Sequence, residues 1–210
     1  MTLTQKQGGL MSLICLALAG LAIVGSAQAA DVNVLLDTCS SCHGKDGAST
    51  ESDVPIIGGY SAAYLTDSLA NYKNKARPCP QVKYRSGPHK GQETDMCTLA
   101  GKLAEEDVKA IAAHLAAKPF VRAKQSADAG KAAHGKQIQE AQCAKCHDQG
   151  GASPDDDAGI LAGQWMPYIR HTFEEFSSGA RPMPKKMKPK FEKISAEDVD
   201  ALVNYFGSFK

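Results

Sequence analysis

Apolar residues recur at helical spacing near the end of each half of the chain. Leu103, Val108, Ile111, Ala112 and Leu115 share one helix face, and so do Val199, Leu202, Val203 and Phe206. Ser195 with Asp198 has the pattern of a capping box ahead of the second of these helices. Opening helices are predicted at roughly 31–43 and 132–147, and middle helices at about 61–74 and 165–177. Loops bearing Gly and Pro separate them. Residues 118–130, with Pro119 and few apolar residues after Val121, read as a linker. The fold class is therefore all-α.

One apolar stretch stands apart. Leu10 to Gly25 runs for 16 residues, short for a membrane span of roughly 20. Lys6 precedes it and Ala27-Gln28-Ala29 follows, so residues 1–29 read as a cleaved signal peptide. Cys15 lies inside this segment behind the bulky Ile14, which argues against lipoprotein processing, so it is lost with the rest. No membrane span is expected after processing.

The chain matches itself at an offset of 104 residues. Gly47 pairs with Gly151, Gly59 with Gly163, Tyr64 with Tyr168 and Tyr72 with Phe176, up to Ala76-Arg77-Pro78 and Ala180-Arg181-Pro182. From 103–108 and 194–199 the offset is 91, so the first half carries 13 extra residues. The expected layout is one domain at 30–118, a linker at 119–130 and a second copy of the domain at 131–210. Without residues 1–29, whose one charged group is Lys6, the 24 Lys+Arg fall to 23 against 23 Asp+Glu. That balance gives no support to nucleic-acid or membrane-surface binding. With 6% aromatic residues, two small domains need something more to fill their cores.

The repeated motif supplies it. Cys39-Ser40-Ser41-Cys42-His43 and Cys143-Ala144-Lys145-Cys146-His147 are both Cys-x-x-Cys-His. Cysteines at i and i+3 lie on one side of a helical turn and reach two vinyl groups of one haem, while the next histidine is carried to the iron. A lone Cys-x-x-Cys could be a redox dithiol or half a zinc site, but the trailing histidine in both copies of an exported chain speaks against both. Two covalently bound haem c groups are expected, with His43 and His147 as axial ligands. Each half then reads as a class I-type cytochrome c domain, and attachment on an exported chain places the protein in the periplasm.

An electron-passing haem needs a second axial group, commonly a thioether. Met96 is the candidate in the first half; Met166, Met183 and Met187 compete in the second. Met96 stands seven residues before Leu103 and Met187 seven before Ile194, which favours Met187 with Met183 as the rival. His89 could displace Met96 but reads as a solvated loop residue; His114, His134 and His171 read as surface or packing residues. Tyr60, Tyr64, Arg77, Trp165, Tyr168 and Arg181 are candidate haem contacts, their donors placed to meet buried propionates. Cys79 opens the insertion and Cys97 closes it beside Met96. A disulfide between them would fasten the ligand loop, with a worth of about 3 kcal/mol; Cys97 as an iron ligand is the alternative.

Taken together these residues resemble the dihaem cytochrome c4 family over the whole exported chain. Ile160-Leu161-Ala162-Gly163-Gln164-Trp165-Met166-Pro167-Tyr168 and Arg181-Pro182-Met183-Pro184-Lys185-Lys186-Met187, with Ala123-Lys124-Gln125-Ser126, more closely resemble the cytochrome subunit of flavocytochrome c sulfide dehydrogenase. The Cys79–Cys97 insertion departs from that pattern. The resemblance implies an electron-transfer subunit, not catalytic alone, docked on an FAD-containing sulfide dehydrogenase partner and passing electrons to a soluble acceptor. The chain has no Gly-x-Gly-x-x-Gly element, so the flavin would belong to the partner. A free shuttle to a terminal oxidase and a lone enzyme with an open haem site are the other classes to test.

Overall fold

The computed structural model describes residues 1–2, 31–155 and 157–210; the signal peptide and Cys15 lie outside the described residues. Helix α1 (Val32–His43) starts at Asp31, whose carboxylate accepts the Asn33 N–H at 2.9 Å. A 3₁₀ turn, Lys45–Gly47, leads away from it. Helix α2 (Ala62–Lys73) is capped by the Ser61 hydroxyl, which accepts from Tyr64 N–H. A hairpin of β1 (Val82–Lys83) and β2 (Glu93–Thr94) follows, pairing Val82 with Thr94 and Lys83 with Glu93. Then come the short α3 (Met96–Gly101) and α4 (Glu105–Ala116).

The second half repeats this without the hairpin. It consists of α5 (Ala129–Ile138), a π turn at Gln139–Cys143, the one-turn α6 (Asp148–Gly151), α7 (Met166–Ser177), α8 (Lys188–Phe191) and α9 (Ala196–Gly207). Ser195 and Asp198 form the expected capping box. The opening helix of this half starts at Ala129, three residues before the 132–147 expected, and widens to the π turn instead of running straight into the motif.

Two cores result. Leu65, Ile111, Ala112 and Leu115 gather between α2 and α4, and Ile169, Leu202, Val203 and Phe206 between α7 and α9. The change of offset is visible in two hydrogen bonds. Gly59 N–H donates to the Leu115 carbonyl at 2.9 Å, and Gly163 N–H to the Phe206 carbonyl at 2.7 Å. Both glycines have positive φ, 81° and 85°, so both repeats need a residue without a Cβ there.

The halves meet through reciprocal contacts. Tyr60 and Gln164 occupy equivalent positions, as do Ile56 and Ile160. The Tyr60 hydroxyl donates to the Ile160 carbonyl at 3.3 Å, and the Gln164 amide donates to the Ile56 carbonyl at 2.9 Å. Residue i of one half meets j of the other, and j meets i, so the interface has the form of a two-fold dimer interface. The connecting segment is fastened too. Ala123 N–H donates to Gly163 at 2.8 Å, the Gln125 amide to the Gln164 carbonyl at 2.7 Å, and Phe120 stacks on Tyr60.

Candidate haem centres

Cys39 and Cys42 lie one turn apart at the end of α1, and His43 is the helix's last residue before Gly44 turns the chain at φ 74°. His43 Nδ1 lies 2.9 Å from the Pro55 carbonyl. A carbonyl only accepts, so Nδ1 carries the proton and Nε2 keeps its lone pair for a metal. Burial lowers the His43 pKa, with the Pro55 contact opposing it, and so favours the neutral imidazole that ligation needs. Burial also pushes the Cys39 thiol up to about 11. A thiol so hard to ionise is a poor fit to a redox dithiol.

In the second half Cys143 ends the π turn, and the N–H groups of Cys146 and His147 both donate to its carbonyl, at 3.1 and 3.0 Å. The buried Gln139 donates from its side chain to the His147 carbonyl at 2.7 Å. Burial raises the Cys143 pKa while Lys190 pulls it down.

Met96 is the first residue of α3 and Met187 immediately precedes α8. Each thus stands at the head of a short helix that leads into the closing helix, and each is half-buried. Met183 is also half-buried but lies in irregular chain. Asp95 fixes the start of α3, accepting from Thr98 N–H at 2.8 Å, Thr98 Oγ1 at 2.6 Å and Gln81 Nε2 at 3.0 Å. Cys79 and Cys97 are bonded, with Cα atoms 5.8 Å apart, closing the loop on both sides of the hairpin. His89 is exposed, 3.2 Å from Gln92, and His114, His134 and His171 each sit beside a carboxylate.

A tyrosine–arginine cluster lies between the two halves. The Arg77 guanidinium stacks over Tyr72 at 4.4 Å and Arg181 over Phe176 at 4.7 Å, the same pair in each repeat. Burial raises the Tyr168 pKa, but Arg77 and Arg181 outweigh it and leave the hydroxyl below its ordinary range. Arg77 Nε and Arg181 Nη1 are buried with no hydrogen-bond partner among the described residues. Arg181 Nη1 keeps the Glu175 carboxylate 4.0 Å away, so Arg77 Nε is the freer of the two repeat-equivalent donors, and both guanidinium groups fit the carboxylates of a haem. Tyr60 and Trp165 differ from the sequence expectation, since their donors go to protein partners: Tyr60 to Ile160, and Trp165 Nε1 to the Ser49 carbonyl at 3.1 Å. Gln164 and Pro55 were not singled out from sequence. The pairing of Gln164 with Tyr60 in the repeat was the signal for the first, and a backbone acceptor leaves none for the second.

The family model described as "Cytochrome c" matches residues 29–118, and "Cytochrome C oxidase, cbb3-type, subunit III" matches residues 130–206. Cytochrome c-554(548) of Halomonas halodenitrificans is 36% identical over 80 residues, 38% of this chain and 82% of that protein. Cytochrome c4 of Azotobacter vinelandii is 27% identical over 200 residues, 89% of this chain and 88% of that one. The chain belongs to the dihaem cytochrome c4 family. The crystal structure of reduced recombinant cytochrome c4 from Pseudomonas stutzeri shares the fold, with a TM-score of 0.67 at 23% identity over 87% of this chain and all of that one. The cytochrome c4 architecture, two cytochrome c domains in one chain, fits two covalently bound haem c groups. Among the described residues no helix is long and apolar enough to cross a membrane.

Proposed function

We propose that this cytochrome c4-like electron-transfer protein works in the periplasm as the haem subunit of a flavin-dependent sulfide dehydrogenase. Cys39 and Cys42 hold one haem and Cys143 and Cys146 the other, with His43/Met96 and His147/Met187 as axial pairs. Haem iron supplies reversible one-electron chemistry when bound. The chain's own part is to orient the ligands and hold the haem carboxylates. Pro55 fixes the His43 tautomer, Asp95 and the Cys79–Cys97 bond hold Met96 in place, and Arg77 and Arg181 take the propionates. The observation that carries the dehydrogenase reading is the run from Ile160 to Tyr168 continued by Arg181 to Met187, which resembles that cytochrome subunit.

Electrons would enter from the partner's FAD and leave to a soluble acceptor. The test is gel filtration of the native preparation, following flavin and haem absorbance across the peak. Co-elution, with rapid haem reduction by sulfide at catalytic enzyme levels, is the expected result. Elution of the cytochrome alone, free of flavin, would favour a shuttle to a terminal oxidase instead. The likeness to cytochrome c4 along nearly the full chain supports that second reading.

A further inference from the structure

Among the described residues three acidic side chains are buried, those of Asp95, Asp107 and Glu175. The first two cap helices. Asp95 accepts from the first turn of α3, and Asp107 accepts the Ala104 N–H, 2.9 Å away, at the start of α4. Each carboxylate thus lies at the positive end of a helix dipole. Glu175 is placed the other way round. It stands in the last turn of α7, where unpaired carbonyls disfavour an acid, and yet it is only 8% exposed. Burying a carboxylate there is costly unless a cation meets it.

The cation is Arg181. Its Nη1 lies 4.0 Å from one Glu175 oxygen, and the two side chains are only 11% and 9% exposed. His171 Nε2, one turn back on α7, stands 3.4 Å from the other oxygen. The backbone holds the pair together as well, since the Arg181 N–H donates to the Glu175 carbonyl at 3.1 Å. Phe176 covers the guanidinium face at 4.7 Å. The first half keeps the arginine and its ring and drops the acid. Arg77 stacks on Tyr72 as Arg181 does on Phe176, but the residue 104 positions before Glu175 is Asn71. One half has a charge where the other has an amide.

We propose that Glu175 is a positioning residue that sets the reduction potential of the second haem: it holds Arg181 and keeps one buried negative charge beside that haem's carboxylates. The proposal rests on the dihaem electron-carrier reading and adds a residue that makes the two haems unequal. By the repeat, each arginine serves the haem of its own half. Oxidising a haem iron adds one positive charge, so a fixed carboxylate nearby in low-dielectric surroundings favours the ferric form. Removing that carboxylate also leaves the Arg181 charge uncompensated. Both effects favour ferrous iron, so the potential of the second haem rises and that of the first stays.

The test is a spectroelectrochemical titration of the holoprotein, fitted with one wave per haem, on the parent and three variants. Glu175→Gln keeps the shape and removes the charge. It should shift the ferrous/ferric ratio of one wave about tenfold toward ferrous at a fixed electrode potential, about 59 mV for a one-electron couple. The other wave should stay within about twofold of the parent. Glu175→Asp keeps the charge and should hold both waves within about twofold. Asn71→Glu adds an acid to the first domain and should move the other wave about tenfold toward ferric. It decides alone if Glu175→Gln fails to fold. Three results with Glu175→Gln would overturn the proposal: no shift in either wave, equal shifts in both, or a shift that Glu175→Asp reproduces. Asn71→Glu moving neither wave would do the same. A parent protein with fewer than two reversible one-electron waves would instead bring down the dihaem reading itself.

Discussion

Gln164 closes both backbone groups of Ile56 with one side chain, accepting from its N–H at 3.0 Å and donating to its carbonyl at 2.9 Å. The same amide donates to the Tyr60 hydroxyl at 2.8 Å, and no part of Gln164 is exposed. Removing this amide while the interface stays closed would leave polar groups of the first domain buried without partners.

Replacing Gln164 with leucine should therefore destabilise the protein by about 2–4 kcal/mol, the range for two or more buried groups left without partners. Urea unfolding followed by haem absorbance and by Trp165 fluorescence should give a lower midpoint for both probes. An unchanged midpoint would mean that the interface tolerates the loss by admitting water.

The thioether assignments separate by spectroscopy. Met187→Ala should abolish the low-spin His/Met signature at one haem, including the weak far-red ferric band, while Met183→Ala leaves it in place. Met187 stands at the head of α8 as Met96 stands at the head of α3. The reverse pattern would assign the ligand to Met183.

Double replacement of Cys79 and Cys97 by serine should cost about 3 kcal/mol in the chain-entropy view. It should also make Met96 easier to displace by imidazole, since Cys97 is its neighbour in α3. Thiol labelling of denatured, unreduced protein should find neither cysteine reactive.

Acid should loosen the closing helix of the second domain. Hydrogen bonds from Ser195 hold the Asp198 carboxyl below its ordinary 3.8, and Lys131 then Arg170 do the same for Asp200. Folded values below the unfolded ones mean stability that is fully present above about pH 4 and lost as pH falls through the folded values. Unfolding midpoints measured from pH 6 to pH 2 should fall in that window, and Asp198→Asn should flatten part of the fall.

Both closing helices could be read from the sequence because their buried faces follow one period, and the second also starts at a capping box. The 104-residue repeat also pointed to the paired glycines, which the structure shows in one backbone conformation. The hairpin was illegible for a plain reason: its strands are two residues long and show no alternation. The π turn at Gln139–Cys143 was hidden similarly, since composition does not distinguish it from the α-helix it extends. At the candidate site, the motifs named the cysteines and histidines. The carbonyl of Pro55 and the contacts of Tyr60 and Trp165 depend on how the halves meet, which periodicity does not encode.

The reciprocal contact between Tyr60 and Gln164 has a consequence for how the halves could diverge. In a dimer of separate, identical domains, a residue at the symmetry axis meets its own copy, Tyr against Tyr or Gln against Gln. A hydroxyl facing an amide is open only to copies that can mutate separately, and fusion into one chain allows that. The same freedom extends outward from the axis, letting one copy acquire a hairpin and the other a lysine-rich loop while the seam between them still fits. Two haems that began as equals can in this way be given different neighbours, and so different tasks, without a second gene.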